Sequence, residues 1–247
     1  MSGATIKAGV YKNLDMEAYH SDPALSRSDI VRMLRSMRHF KFYSKPESSS
    51  PHFRVGTALH RLVLEGVPPV VNKHDGRTKQ GKEFQESNPD AISAKEADLV
   101  CAMAEQVRPY FSGPGEAEVS YFWEDITEPD PVMCKCRPDW VEDGVIYDLK
   151  TTRRDARLFY YDVKDYSLDI QAAWYLRGVG CFEPVYAFRF VVVEKDPPHG
   201  VMVYEIGDLS YAGERINEAL AKYRKCVKTG EWPGYSSEIT ILDIQHI

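Results

Sequence analysis

Two acids and a lysine lie close together along the chain, at Asp139, Asp148 and Lys150. The pair Asp143-Gly144 between the acids is typical of a two-residue hairpin turn, because both residue types tolerate a positive φ angle. With that turn, counting outward along the two strands places Asp139 directly opposite Asp148, with Cβ atoms about 5 Å apart. Lys150 then lies on the same face, because side chains alternate along a strand. The pattern predicts a compact group of two carboxylates and one ammonium.

Like charges held this close destabilise a sheet unless a positive group lies between them. A divalent cation fits that position and leaves Lys150 to orient or polarise a water molecule, which is the chemistry of a metal-dependent hydrolytic site. The alternative is a solvated hairpin, since Asp and Lys are common on protein surfaces. Apolar neighbours favour an interior strand, where buried acids need partners; these neighbours are Val145, Ile146, Tyr147 and Leu149.

The composition indicates an ordinary globular protein of 247 residues with a net charge of −6. We expect one domain over residues 1–247, with a helical part to about 112 and a sheet with C-terminal helices after it. The longest apolar run, near 188–193, is far short of the ~20 residues that a membrane helix needs. An N-terminus without a basic start and five cysteines without framework spacing predict a cytoplasmic protein with reduced thiols. Cys134-x-Cys136 occupies alternate strand positions, which is a poor arrangement for zinc.

Two basic segments contrast with the acidic total. Residues 26–45 carry six Lys or Arg against one acid, and residues 73–82 carry four against one. A channel that guides phosphates past an acidic metal site would have this charge distribution. Two solvated surfaces would have it as well, so charge alone leaves both interpretations open.

Hydrophobic periodicity predicts a mixed sheet flanked by helices, an α/β fold. Ser26 or Ser28 is expected to cap a helix with Ile30, Met33, Leu34 and Met37 on one face. Residues 46–51 and 67–90 are expected to be loops. Further helices are predicted over 54–65 (closed by Gly66), 94–110, 168–178 and 208–229, the last with Ile216, Leu220, Tyr223 and Val227 on one face. Strands are predicted over 117–123, 132–141, 145–151, 187–193 and 201–205.

Six segments in a fixed order resemble one enzyme family. They are Leu25-Ser26-Arg27-Ser28-Asp29-Ile30, the stretch 56–65 with His60, Arg137-Pro138-Asp139, Asp148-Leu149-Lys150-Thr151-Thr152, Gln171-Ala172-Ala173-Trp174-Tyr175 and Trp232-Pro233-Gly234-Tyr235. The ordered set, which spans nearly the whole chain, resembles the RecB-like branch of the PD-(D/E)XK nucleases and within it the RecE (exonuclease VIII) type of phage recombination exonuclease.

The resemblance implies the residues of a metal site. His60, Asp139, Asp148 and the carbonyl of Leu149 would be the ligands, and Lys150 would orient the attacking water and steady the charge on the phosphoryl group. Asp139, Asp148 and Lys150 would form the catalytic set. One or two Mg²⁺ ions are implied, with Mn²⁺ as a substitute that imidazole favours. A further oxygen would come from Glu118 or Glu65, and Glu118 ranks first because it enters a strand just before the site.

The same resemblance implies DNA contacts. Ser26, Arg27 and Ser28 would hold the 5′-phosphate end, and Gln171 and Tyr175, four residues apart on one helix face, would contact the substrate strand or brace the metal site. Helix capping and ordinary packing are the competing interpretations. Aromatic residues after the catalytic strand either stack on bases or belong to the core; they are Phe159, Tyr160, Tyr161 and Tyr166.

The activity implied by the family is removal of the 5′-terminated strand from double-stranded DNA ends, which leaves 3′ overhangs for a RecT-type annealing protein. Members form rings around DNA, so a ring-shaped homo-oligomer is implied, with a tetramer as the RecE-like size. Two alternatives stay open: a catalytically idle DNA-end-binding or recruitment module, and a phosphodiesterase for RNA. The five cysteines lack the spacing of a Cas4-like iron–sulfur nuclease.

Overall fold

The computed structural model describes residues 5–44 and 51–239, with only the backbone given for 51–53. Its helices are α1 Met16–Ser21, α2 Arg27–Arg35, α3 Met37–Lys41, α4 Pro51–Leu64, α5 Lys79–Ser87, α6 Ala94–Val107, α7 Phe159–Asp165, α8 Leu168–Val179 and α9 Ser210–Thr229. Its strands are β1 Gly9–Tyr11, β2 Val71–Asn72, β3 Ile92–Ser93, β4 Glu116–Ala117, β5 Ser120–Asp125, β6 Val132–Cys136, β7 Trp140–Glu142, β8 Val145–Thr152, β9 Ala187–Glu194 and β10 Val201–Glu205.

A five-stranded sheet in the order β10-β9-β8-β7-β4 forms the centre of the molecule. Strands β8 and β9 run parallel, while the other neighbours in this sheet are antiparallel. Helices α4 and α6 contact one part of it and α8 another, with α9 packed against α8, so the predicted mixed sheet flanked by helices is confirmed. A second sheet has the order β1-β5-β6, and β2 pairs with β3.

The chain passes between the two larger sheets at two neighbouring points. After β4 it leaves the five-stranded sheet at Glu118 and enters the three-stranded sheet as β5. It returns across residues 137–139, between β6 and β7. The prediction of continuous strands over 117–123 and 132–141 is therefore wrong, because each is interrupted where the chain changes sheet.

Alternating residues of β9 fill the two sides of the central sheet. Phe188 and Phe190 belong to a large core cluster with residues of α2, α8 and α9. Val191 and Val193 belong to a second cluster with Leu59 of α4 and residues of α6. Every residue of β8 and β9 is buried or half-buried, which is typical of parallel strands covered on both faces.

Some helix predictions are wrong in their bounds. Met37 does not continue α2, because Ser36 is extended and its hydroxyl accepts from the amide of His39 to begin α3. Helix α4 begins at Pro51 rather than Arg54, so the expected loop over 46–51 otherwise falls outside the described residues. Helix α6 ends at Val107 and a 3₁₀ turn follows to 111. On α9, Val227 is exposed and Cys226 takes the buried position.

The prediction of a long loop over 67–90 is also wrong, since β2 and α5 lie within that range. Thr78 caps α5 by accepting from the amide of Gly81 at 3.1 Å. Gly81 itself is pressed against the Asp75 carbonyl, where a Cβ atom would lie 2.1 Å from the oxygen. The helix is so polar that its sequence resembles a loop. No helix within the described ranges is long and apolar enough to cross a membrane.

Candidate metal and phosphodiester site

The central strand β8 presents the predicted Asp-x-Lys pair. The turn before it has positive φ angles of 47° at Asp143 and 76° at Gly144, as the hairpin prediction requires. Strand β8 lies between β7 and β9 and is therefore an interior strand. The ammonium of Lys150 contacts Oδ2 of Asp148, so both side chains lie on one face.

Asp139 lies one residue outside the ladder that was expected to pair it with Asp148. The ladder of β7 with β8 ends at Trp140 opposite Tyr147. Instead of facing Asp148 across the strands, the Asp139 carboxylate accepts a hydrogen bond from the amide of Leu149, at 2.7 Å. Asp139 is nevertheless held against β8 through the amide of Leu149.

His60 reaches the same point from helix α4. Its neighbour Leu59 is fully buried against the central sheet, which fixes the helix face. The Nε2 atom of His60 is 2.8 Å from the carbonyl oxygen of Leu149, and Nδ1 is 3.4 Å from Oδ2 of Asp139. With the proton on Nε2, the ring donates to the carbonyl and directs the Nδ1 lone pair towards the acid.

Glu118 completes a cluster that can hold a metal ion. One ligand atom each of His60, Glu118 and Asp139 lies within 4.8 Å of the other two. Glu118 has a left-handed φ of 54°, and its amide donates to the carbonyl of Asp139 at 3.2 Å. Burial, and next the charge of Asp139, raises the pKa of Glu118 to about 8. Glu65 is exposed and outside this cluster, in agreement with the ranking of the two acids.

Asp148 has a separate set of partners. It is 1% exposed, and its two carboxylate oxygens contact the Lys150 ammonium and the side-chain amide of Gln171. Burial raises the pKa of Asp148 to about 6, and the charge of Lys150 limits the rise. Asp148 thus lies beside the cluster of His60, Glu118 and Asp139 rather than within it, and its role as a metal ligand stays a prediction.

The three residues that begin α2 differ in what they contact. Ser26 caps the helix, since its amide and hydroxyl both donate to Oδ2 of Asp29, at 2.8 and 2.7 Å. Arg27 donates to the carbonyls of Tyr166 and Ser167 at the start of α8, and burial lowers the pKa of its guanidinium. Ser28 is exposed. The capping interpretation therefore holds for Ser26 alone.

A cavity of about 580 Å³ brings the predicted DNA-contacting residues together. Its lining includes Ser26, Arg27, Ser28, Gln171 and Tyr175. The Gln171 side chain reaches through the buried layer to Asp148, so of the two roles weighed for it, bracing the site has a visible contact.

The aromatic residues after β8 differ in burial, so core packing explains one of them and not the other three. Phe159 is buried against Phe190 and Tyr204, as core packing predicts. Tyr160, Tyr161 and Tyr166 are exposed.

The donor set of the cluster suits a hard divalent cation. Two carboxylates and an imidazole are ligands that Mg²⁺ and Mn²⁺ accept, and the imidazole favours Mn²⁺. The ionised carboxylates of Glu118 and Asp139 are both negative and lie together in a half-buried place. Their repulsion is unfavourable without a cation. The residues present therefore fit the metal that the sequence resemblance implies.

The sequence profile of the "PDDEXK-like domain of unknown function (DUF3799)" matches residues 26–245. The chain belongs to this PDDEXK-like family. Nucleases of this class generally use divalent metals, which agrees with the donor chemistry of the cluster. No curated protein matches the sequence.

A solved structure shares the fold of this PDDEXK-like chain. A crystal structure described as a candidate exonuclease from Eubacterium rectale is 16% identical, with a TM-score of 0.60 over 96% of this chain and 97% of that chain. At this identity the likeness shows a shared fold alone. The structure of SSO0001 is 14% identical over 79% of this chain and 85% of that chain, and its TM-score of 0.36 is too low to show a shared fold.

Some contacts of the site have no signal in the sequence. Asp162 of α7 accepts from the hydroxyl of Thr152 at 3.0 Å and ties that helix to the end of β8. Arg137, part of the motif before Asp139, donates to the hydroxyl of Ser120 at 2.7 Å and to the carbonyl of Leu14 at 2.6 Å. It anchors the N-terminal segment, a role that its type and spacing do not distinguish from substrate binding.

Proposed function

We propose that this chain is a metal-dependent exodeoxyribonuclease that degrades linear double-stranded DNA from its ends. The observation that carries the proposal is the cluster of His60, Glu118 and Asp139 beside the Asp148–Lys150 pair, on the central strand of a PDDEXK-like chain. The 5′→3′ polarity, the 3′ overhangs and the RecE-like role in recombination are supported by the ordered sequence motifs.

In this proposal His60, Glu118 and Asp139 hold the ion, with Asp148 and the Leu149 carbonyl next to them. A divalent ion supplies Lewis-acid chemistry, since it neutralises phosphate charge and activates the attacking water. The ammonium of Lys150 is restrained by Asp148 and positions the water or the developing negative charge at the phosphorus. Gln171 holds the Asp148 carboxylate in the orientation that this restraint needs.

The assembly and surroundings of the protein belong to the same proposal. We infer a single nuclease domain, a ring-shaped homo-oligomer around DNA, a RecT-type annealing partner and a cytoplasmic location. A ring whose inner surface carries the basic segment 26–45 would reconcile a net charge of −6 with binding to DNA.

The test is digestion of a linear duplex labelled separately at its 5′ and 3′ ends, in Mg²⁺, Mn²⁺ or EDTA. We expect release of 5′ nucleotides that requires the metal and is lost in Lys150→Ala. The matched control is Lys95→Ala, which removes an exposed lysine of α6 and should leave the rate unchanged.

Three outcomes would contradict parts of the proposal. Release from the 3′ label would overturn the polarity, and faster cutting of a matched RNA duplex would overturn the DNA assignment. A folded protein that binds DNA ends and cuts none in either metal would be the recruitment module instead.

A further inference from the structure

A stripe of basic residues leads away from the active site along α2. Ser28, Arg32 and Arg35 are separated by four and three residues, so they share one face of the helix. Ser28 lines the cavity that contains Gln171, and Arg35 ends the helix about 10 Å further on. Helix α3 comes next in the chain with Arg38 and Lys41, and the exposed aromatic residues Phe42 and Tyr43 follow. We call the surface of Arg32, Arg35, Arg38, Lys41, Phe42 and Tyr43 the α2–α3 ridge.

The outer cations of the ridge contact aromatic residues instead of acids. Arg38 lies over the ring of Phe42 at 5.8 Å, and Lys41 lies over Trp232 at 4.8 Å. Arg35 donates from Nε to the hydroxyl of Tyr235 at 2.9 Å. Within 5–44 and 51–239, no acid forms an ion pair with any of these three. Their positive charge is therefore available to an anion.

Arg32 and the neighbouring clefts complete the charge distribution. Arg32 lies over Tyr43 at 3.6 Å and pairs with Asp29 at 2.8 Å. Glu231 lines the cleft beside Trp232, where Lys222 and Lys225 accompany it. Asp29 and Glu218 neutralise Arg32 and Lys222, and Glu231 offsets Lys225. The net positive charge of the ridge therefore comes from Arg35, Arg38 and Lys41.

Three aromatic side chains of this surface are open to solvent. Phe42 is 71% exposed, Tyr43 47% and Tyr235 67%. Large apolar rings at this exposure, interleaved with cations, form a platform on which nucleic-acid bases stack.

Two adjoining cavities connect the platform with Gln171, whose side chain contacts Asp148. The cavity lined by Gln171 and Tyr175 is lined by Arg32 and Tyr43 as well. Tyr43 also lines a second cavity, of about 600 Å³, together with Arg38 and Phe42. A chain leaving the site along these cavities would meet the cations and the rings in turn.

We propose that the α2–α3 ridge, together with Tyr235, binds a single strand of DNA next to the active site, with bases on Phe42, Tyr43 and Tyr235 and phosphates on Arg35, Arg38 and Lys41. This inference rests on the proposed function for its choice of DNA. A single strand fits better than a duplex, because paired bases cannot present their faces to the rings. The ridge would hold the strand that digestion leaves unpaired.

The cations are tested by the salt dependence of binding in EDTA, where no cleavage occurs. For a fluorescent oligothymidylate of about 16 nucleotides, Arg35→Ala/Arg38→Ala should reduce the slope of log K against log salt by about 1.4, or about 0.7 for each phosphate that the protein no longer neutralises. The control is Lys95→Ala/Arg108→Ala. It removes two exposed cations of the α6 region, which have no acid partner in the described part of the chain, and should leave the slope unchanged.

The rings are tested by affinity at one salt concentration. Phe42→Ala/Tyr43→Ala should weaken binding of the single strand about tenfold or more and leave the salt slope as in the wild type. Tyr186→Ala, which removes another ring that is 75% exposed, should have no effect. Circular dichroism of each variant checks that the fold is retained.

The inference is overturned if both double variants bind the single strand as the wild type does, or if they lose affinity for a blunt duplex to the same extent. It fails independently of the proposed function. A protein that cuts duplex ends normally but shows no ridge effect loses the ridge alone. A protein that binds single strands through the ridge but never cuts loses the nuclease assignment alone.

Discussion

At the scale of single residues, the backbone of Glu118 matters as much as its carboxylate. A left-handed conformation costs a residue with a side chain about 1–2 kcal/mol. Here it turns the chain out of β4, and the amide of Glu118 donates to the Asp139 carbonyl. The two acids of the cluster are thus joined through their main chains before any ion binds.

Burial of Glu118 predicts a pH dependence of stability in the metal-free protein. The pKa of this carboxyl rises from 4.5 to about 8 on folding, so between these values the folded state binds more protons than the unfolded state. The resulting stabilisation is complete below the unfolded pKa and is lost as pH rises through the folded pKa. In EDTA, the melting temperature of the wild type should fall from about pH 6.5 to about pH 8.5.

Glu118→Gln keeps the size of the side chain and removes the ionisable group, so its melting temperature should change less over the same pH range. The lower limit of that range lies above the pKa of Asp148, which burial raises to about 6. Differential scanning fluorimetry in EDTA measures both proteins. Equal slopes would show that Glu118 titrates normally and that its environment is more polar than the structure indicates.

The sequence was sufficient for the part of the site that depends on strand geometry. Alternation along β8 puts Asp148 and Lys150 on one face, and the Asp143-Gly144 turn fixes where the hairpin reverses. The contact of Glu118 with Asp139 could not be derived in the same way. It depends on the left-handed conformation of Glu118 and on two breaks between strands. Hydrophobic periodicity predicted continuous strands at both breaks.

At the scale of elements, helix α8 supports the site from the buried side. Trp174 is fully buried and donates from its indole to the carbonyl of Lys135 at 3.0 Å, which fixes the helix against the three-stranded sheet. One turn earlier, Gln171 meets Asp148. The orientation of the Asp148 carboxylate therefore depends on how α8 packs.

Gln171→Met should lower the cleavage rate about 10–100-fold. Loss of a hydrogen bond that orients a carboxylate at a metal site has an effect of this size. Methionine fills nearly the same volume but donates no hydrogen bond to Asp148. The concentration of Mg²⁺ that gives the half-maximal rate should rise with it. Titration of the initial rate with Mg²⁺ measures both quantities.

Arg177→Met is the matched control on the same helix. It breaks contacts with Asp125 and Asn217, at 3.3 and 2.7 Å, rather than with the site. We expect it to lower the melting temperature without moving the Mg²⁺ midpoint. A shift of that midpoint in both variants would mean that α8 acts through general stability and not through Gln171.

Elements with strong apolar periodicity were predictable, and those held by local polar contacts were not. Helices α4 and α8 follow their buried stripes. Helix α5 is polar except for Gly81 and Phe84, and its start depends on the Thr78 hydroxyl and the close approach of Gly81 to Asp75. Such contacts decide between helix and loop without changing the hydrophobic pattern.

At the scale of the whole molecule, one core cluster connects parts that are distant in sequence. It contains Leu25, Tyr121, Ile146, Trp174 and Leu220, which come from the N-terminal helical part, both larger sheets and the last helix. A boundary near residue 112 would therefore separate segments that share a hydrophobic core, and this packing supports the proposal of a single domain.

A single domain should unfold in one cooperative transition. We expect the denaturant midpoints from far-ultraviolet circular dichroism and from tryptophan fluorescence to coincide. Trp140 lies in one core cluster and Trp174 in the other, so fluorescence samples both sides of the central sheet. Two separate transitions would contradict the single-domain inference and place a boundary between the clusters.

The two crossings between sheets have a consequence for how such sites vary among sequences. Strands β5 and β6 form a hairpin whose open end lies at Glu118 and Asp139 and whose closed end is the loop over 126–131. Residues added to or removed from that loop would change the number of positions between the two acids while leaving both in place. A search pattern with a fixed number of residues between Glu118 and Asp139 would then miss relatives that keep the whole site. The short interval from Asp139 to Lys150 contains a tight turn and has little freedom to vary in length.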